Sequence, residues 1–260
     1  MKIDKVSVVK VLDGALLPVV LLSVWLLSSS FHLVSRSIFP YPEDVWKAYQ
    51  ELVANDDFPS SLLVSIARVM KGFVLGASTG LVIGILLGMS RVLDKLVTPI
   101  FNAIRQVPLP AWAPLLVLIS IGEPSRVIFI AIGACYPVVL NTCEGIRSVR
   151  NEYFEVGRVF RFSRPQQFFK IVLPASFPSI LTGLRLSLSI SWMAVVAAEI
   201  FMTADGGIGE LMWVSREMSR MDVVIVCIIA IALVGFGMNY LMRKLEILFS
   251  FWRLTLKQSR

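Results

Sequence analysis

Six stretches of the chain are almost wholly apolar, at about 14–34, 60–88, 97–120, 125–143, 179–202 and 222–248. Each approaches or exceeds the roughly 20 residues that a helix, rising 1.5 Å per residue, needs to cross a hydrocarbon layer of about 30 Å. The pattern predicts an all-α, polytopic membrane protein: one transmembrane domain over 1–260 with about six transmembrane helices. The first run follows a basic leader, MKIDK, like a signal peptide. Its only small-x-small site is Ser28-Ser29-Ser30 and nothing resembling a soluble domain comes after it, so it is expected to remain as the first span.

The polar connections set the orientation, because Lys and Arg gather on cytoplasmic loops. With the N-terminus inside, the inner side holds sixteen: Lys2, Lys5, Lys10, Arg91, Lys95, Arg147, Arg150, Arg158, Arg161, Arg164, Lys170, Arg243, Lys244, Arg253, Lys257 and Arg260. The outer side holds five, Arg36, Lys47, Arg126, Arg216 and Arg220, while Arg68, Lys71, Arg105 and Arg185 fall within spans. Both termini are therefore expected in the cytoplasm, with the polar insert at 144–178 beside them.

Three local devices interrupt the apolar pattern. At 40–57, Pro42 precedes the acids Glu43 and Asp44, a favourable helix start, and Val45, Tyr49, Leu52 and Val53 share a face. This predicts a short amphipathic helix on the outer interface, packed on the lipid boundary or helping to dock an external partner. The second run places Gly72, Gly76, Gly80, Gly84 and Gly88 four residues apart, which lets another helix approach closely. Each step drifts about 40° around the axis, so the stripe is expected to wind and to serve more than one neighbour. It is a packing device and not a phosphate loop, since no Gly-Lys-Ser/Thr follows. In the third run, RQVPLPAWAP puts Pro108, Pro110 and Pro114 inside a would-be span, where the helix must kink or unwind, as a cavity wall or as a bent structural helix.

Composition sharpens the class. Hydrophobic residues make up 56% and charged residues 17%, with a mean hydropathy of +0.76, whereas soluble domains carry about 25% charge. The net charge of +7 fits basic cytoplasmic loops, and no nucleic-acid partner is expected. Cys135, Cys143 and Cys227 lie inside apolar runs without metal-ligand spacing, so no metal site is expected. HExxH, GxSxG and Walker A sequences are missing, His32 stands alone near the outer end of the first run, and no catalytic residue or enzyme activity is expected in this chain. There is also no internal repeat with matching broken helices, so a secondary transporter is disfavoured.

The insert EYFEVGRVFRFSRPQQFFKIVLPAS (152–176) asks for its own explanation. Val149, Tyr153, Phe154, Val156, Val159 and Phe160 predict one sided helix. Ser163 and Pro165 punctuate it, and a second short helix over Gln166–Val172, including Gln167 and Phe168, is expected to end at Leu173-Pro174. Such an elbow is a docking surface. It resembles the coupling loop of permease subunits of bacterial ABC importers, with the pattern E-A-A-x3-G-x9-I-x-L-P. Glu155, Val156 and Gly157 stand at E-A-A, and Ile171, Leu173 and Pro174 keep the spacing. Arg161 occupies the family's glycine, so the bend there is expected to differ, because arginine does not readily take a positive φ. Further pieces resemble the branch that carries sulfonates, taurine, nitrate and bicarbonate: Ser65–Phe73 (SIARVMKGF), the break from Pro108 to Pro114, Gly183-Leu184-Arg185 and Ala197-Ala198-Glu199.

The resemblance implies the type I ABC importer permease fold in a bacterial inner membrane, working as a homodimer or with a sister permease. It further implies two cytoplasmic ATPase subunits that bind ATP and Mg, and a periplasmic or lipid-anchored solute-binding protein. The cargo it implies is a small, anionic solute, with aliphatic sulfonate or taurine favoured and nitrate, bicarbonate or an organic nutrient precursor as alternatives. A stand-alone channel or membrane scaffold is the reading from a different class. Charged groups are costly in lipid and usually face a cavity or a partner. Arg105, Pro108, Pro110, Trp112, Arg185, Trp192 and Glu199 are therefore candidates to line or gate a pathway, with structural ion pairing as the competing role for Arg105 and Glu199. The segment Gly206–Trp213 reads as a turn and short outer helix, either a gate, a binding-protein contact or a plain reentrant connection.

Overall fold

A computed structural model describes residues 39–202 and the backbone of 205–257, with side chains to 248 and scattered residues of 17–36. Among the described residues all regular structure is helical. Contacts divide the chain into two compact units, Met1–Pro59 with Leu211–Ile229, and Ser60–Glu210 with Ala230–Arg260.

In the smaller unit, α1 (Pro42–Ala54) starts where the sequence suggests, with Pro42 in its first turn and the Asp44 carboxylate accepting the Tyr41 N–H at 3.3 Å. Its inward residues are Val45, Ala48 and Leu52, while Tyr49 and Val53 are exposed, so only half of the anticipated apolar face is covered. Arg220 closes the other segment of this unit, pairing with Glu51 at 3.0 Å and Asp222 at 2.9 Å.

The larger unit contains α2 (Asp57–Met89), α3 (Arg91–Gln106), a 3-10 turn (Leu109–Trp112), α4 (Ala113–Ile119), α5 (Glu123–Arg147), α6 (Asn151–Val159), α7 (Arg164–Gln167) and α8 (Leu173–Phe201). Two further helices follow, α9 (Ile208–Glu217) and α10 (Met221–Lys257). Among the described residues four helical stretches are long and apolar enough to cross a membrane: Asp57–Met89, Glu123–Arg147, Arg164–Phe201 and Met221–Leu248. Most of the anticipated first span, 14–34, lies outside the described residues. The anticipated third span is no single helix. Pro108 and Pro110 cannot donate to a continuing ladder, and the chain passes from α3 through the 3-10 turn into α4.

Among the described residues the nearest atoms to all five glycines of the stripe belong to one helix, α5, where winding onto more than one neighbour was expected. A Cβ added at Gly72 would meet Ile130, at Gly80 Cys135 and Val138, at Gly84 Val139 and Thr142, and at Gly88 Ile146. Gly76 lies against the Ala131 backbone and Ala134. The α5 partners Ile130, Ala134, Val138, Thr142 and Ile146 also recur every four residues, so the drift on one helix is matched on the other. That shared register is small-residue packing, in which two helix backbones approach closely along the seam. In lipid, apolar burial gives no net drive between helices, so this dense van der Waals contact has to hold them. On its other side α5 meets α8: Gly183 sits against Asn141 and the Pro137 carbonyl, and Ser187 Oγ donates to Ala134 O at 2.7 Å. Val69, Phe129, Ile130, Leu188 and Val195 form the center of the resulting core.

Candidate functional site

The insert after α5 folds as an elbow. Helix α6 ends in a Schellman motif: the Phe162 N–H donates to Gly157 O and the Arg161 N–H to Arg158 O, both at 2.9 Å. Arg161, at φ +50°, fills the left-handed position that normally takes glycine. The bend is therefore the ordinary glycine bend, made by an arginine, and the altered geometry expected at this residue is not found. Beyond it, the Ser163 N–H donates to Gln166 Oε1 at 2.8 Å and the Gln167 amide to Phe162 O at 3.2 Å. Both glutamines are thereby used inside the elbow. Lys170 lies 5.0 Å from the Phe162 ring center.

The second helix does not stop at Leu173-Pro174. A π-helical turn, Phe168–Val172, joins α7 to α8. Proline in a continuing α-helix would lack its donor and crowd the carbonyl four residues back, and the wider turn admits Pro174 without ending the helix. The second arm of the elbow is thus a continuous extension of the long helix that ends at Phe201.

Its two faces differ. Gly157 is buried, and a Cβ there would stand 2.7 Å from Ile171 Cδ1, so the two arms touch at this glycine. Phe154, Phe168 and Ile171 pack on a small core of Ile146, Val149 and Val172. On the outer face Val156, Val159 (80% exposed), Phe160 and Phe169 remain uncovered, and Glu155 is exposed beside them. At the base, Arg150 pairs with Glu152 at 2.8 Å and holds that carboxyl below its usual range.

A second polar constellation is buried between α2, α5, α8 and the segment 205–210. Arg68, 2% exposed, donates to Glu199 and Glu123 and to Gly206 O, each at 2.7 Å, and to Asp205 O at 3.3 Å. Glu199, also 2% exposed, further accepts from Ser65 Oγ at 2.8 Å and from the Gly209 N–H at 2.9 Å. Ser65 Oγ in turn accepts the Ile208 N–H at 2.9 Å, and the Gly206 N–H meets the Glu210 carboxylate. Arg126 donates to Met202 O at 3.1 Å and lies 3.5 Å from Glu123. Gly207, at φ +129°, is pressed so closely on the Glu199 carboxylate that any side chain would displace it. Charges and donors are matched inside this cluster, as burial in a low-dielectric region demands. Ser65, Glu123, Arg126 and Gly207 were not singled out as site residues in the sequence. Ser65 and Arg68 are three apart, hence on one helical face, which is the signal that was legible.

The remaining pathway candidates separate. Trp112 and Trp192 belong to the central core, and the Trp192 indole donates to Ile231 O at 2.9 Å. Arg185 pairs with Glu246 at 2.8 Å. Arg105 is exposed at the last turn of α3, just before Pro108 and Pro110, and among the described residues it has no ion-pair partner. Arg105 and Glu199 are not brought together.

An integral membrane protein built of long helices, with a proline-broken helix inside and a helical elbow outside, has the architecture of a transporter's membrane subunit. The chain belongs to the family of binding-protein-dependent transport system inner membrane components, whose model matches residues 80–247. It is 38% identical over 243 residues to SsuC of Bacillus subtilis (strain 168), named for aliphatic sulfonates transport, covering 93% of this chain and 88% of that one. It is 34% identical over 247 residues to the nitrate import permease protein NrtB of Synechocystis sp. (strain PCC 6803), covering 91% and 88%. The bicarbonate transport system permease protein CmpB of Synechococcus elongatus is 37% identical over 174 residues, covering 66% and 63%. Among solved structures, an amino acid ABC transporter with histidines superposes with a TM-score of 0.61 at 18% identity, covering 77% of this chain and 96% of that one. The inward-facing MetNI methionine ABC transporter gives 0.58 at 18%, covering 71% and 94%. The protein is an ABC importer permease of the type I fold.

Proposed function

We propose that this chain forms the translocation pathway of an ATP-driven importer for a small, anionic solute, with aliphatic sulfonate or taurine as the favoured cargo. The relative named for aliphatic sulfonates transport, matched over nearly the whole chain, supports that choice. Relatives named for nitrate and bicarbonate favour the same architecture with a smaller anion as the second reading. Both termini face the cytoplasm, and two copies of the chain pair in the membrane. Two ATPase subunits that bind ATP and Mg sit below, and a periplasmic or lipid-anchored solute-binding protein delivers cargo to the side that carries the 40–57 helix.

The observation that carries the proposal is the uncovered apolar face of the elbow. A rigid, two-armed projection that leaves Val156, Val159 and Phe160 in water has a partner to cover them. In this reading 144–178 is the coupling loop. Glu155, Val156, Gly157, Arg161, Gln167, Phe168, Ile171, Leu173 and Pro174 shape or present it, and the continuous helix from Arg164 to Phe201 carries displacement of the ATPases into the membrane. Arg105, beside the break at Pro108 and Pro110, supplies positive charge to the pathway. Trp112 and Trp192 back its wall, and the Arg185 and Glu199 ion pairs brace it.

The test is reconstitution of the chain with the ATPase and the binding protein from its gene neighbourhood. Glu155→Lys is expected to abolish uptake while the permease still assembles in the membrane. Normal uptake by Glu155→Lys would remove the docking assignment, and uphill transport without any ATPase would establish a stand-alone carrier instead. Competition of taurine, alkanesulfonates, nitrate and bicarbonate in the same assay assigns the cargo.

A further inference from the structure

Where α2 and α5 leave the apolar layer, the larger unit contains a cavity of about 590 Å³ that the translocation reading does not use. This lies within the roughly 300–1,000 Å³ of pockets that hold small molecules. Met89 and Arg91 line one side, from the turn that joins α2 to α3, with Lys95 one helical turn further on; Arg147 at the end of α5 lines another, and Phe154 of the elbow a third, leaving the cavity half-open. Its charges are unbalanced. Asp94 is the one acidic residue in the lining, and it is already engaged by Arg147 at 2.7 Å and by the Thr98 hydroxyl at 2.6 Å. Arg147 also donates to Leu87 O at 3.0 Å, which fixes it against the end of α2. Arg91 and Lys95 are exposed, and among the described residues neither has an ion-pair partner. The cavity thus presents two uncommitted cations beside an apolar wall, at the level where two membrane helices end.

We propose that this cavity binds an anionic phosphate group, held by Arg91 and Lys95 against the end of α2 and the base of the elbow. Two cations one turn apart on one helix face suit an anion with several acceptor oxygens. The apolar side formed by Met89, Ile146 and Phe154 suits a phosphate carried on an acyl chain, an inner-leaflet phospholipid, better than a free ion. Because Phe154 and Val172 line the same cavity, an occupant touches the elbow as well as the spans and stiffens the joint between them. The site stands whether or not the elbow grips an ATPase.

The probe is the full-length chain purified in detergent and analysed by native mass spectrometry with equimolar phosphatidylglycerol and phosphatidylcholine, and separately with inorganic phosphate. The wild-type chain is expected to retain phosphatidylglycerol over phosphatidylcholine by roughly thirtyfold, the effect of two cations at a lipid surface, and Arg91→Gln/Lys95→Gln is expected to lose that preference. Arg243→Gln/Lys244→Gln removes the same charge from α10 and is expected to keep it. Inorganic phosphate retained by wild type and lost by Arg91→Gln/Lys95→Gln, without lipid preference, assigns the same site to free phosphate. Equal lipid and phosphate binding by wild type and Arg91→Gln/Lys95→Gln overturns the proposal, as does equal loss in the α10 variant. Loss of ATPase co-purification in Arg91→Gln/Lys95→Gln with unchanged lipid preference overturns it too, and gives these cations to the protein partner. Should Arg91→Gln/Lys95→Gln not fold, Arg91→Lys/Lys95→Arg, which keeps both charges, must retain the preference, and its loss there overturns the proposal.

Discussion

At the scale of single residues, two positions carry conformational or electrostatic cost that the fold has to offset. Arg161 holds the left-handed position of the α6 Schellman motif, which costs an L-residue roughly 1–2 kcal/mol. Glycine relieves that but loses about 0.5–1 kcal/mol of chain entropy on folding, so Arg161→Gly is expected to leave stability within about 1 kcal/mol and uptake intact. A β-branched side chain is a true outlier in this region, and Arg161→Ile is expected to open the elbow and abolish ATP-dependent uptake, as uptake assays on the two variants will read. If Arg161→Ile transports normally, the bend has no mechanical role. The Arg68–Glu199 pair is the other case. Removing Glu199 leaves a buried guanidinium short of a partner together with orphaned donors on Ser65 and Gly209, a loss of about 3 kcal/mol or more. Glu199→Ala should therefore lower the thermal midpoint in detergent far more than Arg185→Ala, whose ion pair with Glu246 is half-exposed. Similar midpoints for the two variants would show that the buried cluster is not what secures the 205–210 segment.

At the scale of elements, much was legible because membrane helices announce themselves by length and apolarity, and the 60–88, 125–143 and 222–248 runs became α2, α5 and α10. The proline break in the third run was legible for the same kind of reason, a missing donor and a steric clash. What sequence could not supply was relative geometry. The glycine stripe taken alone predicts winding, and only the matching four-residue register on α5, made of ordinary side chains such as Val138 and Ile146, turns it into one continuous seam. Likewise the π turn before Pro174 depends on where α8 is held, so Leu-Pro read as a stop when it is a passage. The seam makes a graded prediction. A methyl at Gly76 runs into the Ala131 backbone, which cannot move aside, whereas at Gly88 it meets only the Ile146 side chain at 2.9 to 3.0 Å. Gly76→Ala is expected to cost more than the roughly 1–3 kcal/mol typical of overpacking a core, and Gly88→Ala, where the nearest atom is Ile146 Cβ and the helix end must shift slightly to make room, about 1–3 kcal/mol. Thermal midpoints of the two single variants check the order, and a reversed order would mean that the helices part near Gly76.

At the scale of the whole molecule, a permease has to satisfy two demands that pull apart: helices tight enough to exclude leakage, and a surface by which an outside motor can move them. The buried matched charges of the Arg68 cluster and the glycine seam meet the first. In the proposed reading the elbow meets the second by the opposite choice, since Val159 and Phe160 stay exposed on its outer face. This separation gives the test that bears on the transporter as an assembly. Because Val159 and Phe160 are 80% and 67% exposed, Val159→Asp with Phe160→Ser should leave the midpoint of the isolated chain within about 0.5 kcal/mol of wild type, as surface changes do. In the assembled transporter those side chains would be desolvated by the ATPase, and their loss should weaken its binding by roughly 2 kcal/mol or more, about thirtyfold, the scale of an interface hot spot. Titrating the purified ATPase onto wild-type and variant permease in nanodiscs, alongside thermal unfolding of each permease alone, reads both numbers. A variant that unfolds early would place these residues in the fold after all, and one that binds the ATPase as tightly as wild type would mean that the motor grips the membrane helices somewhere other than the elbow.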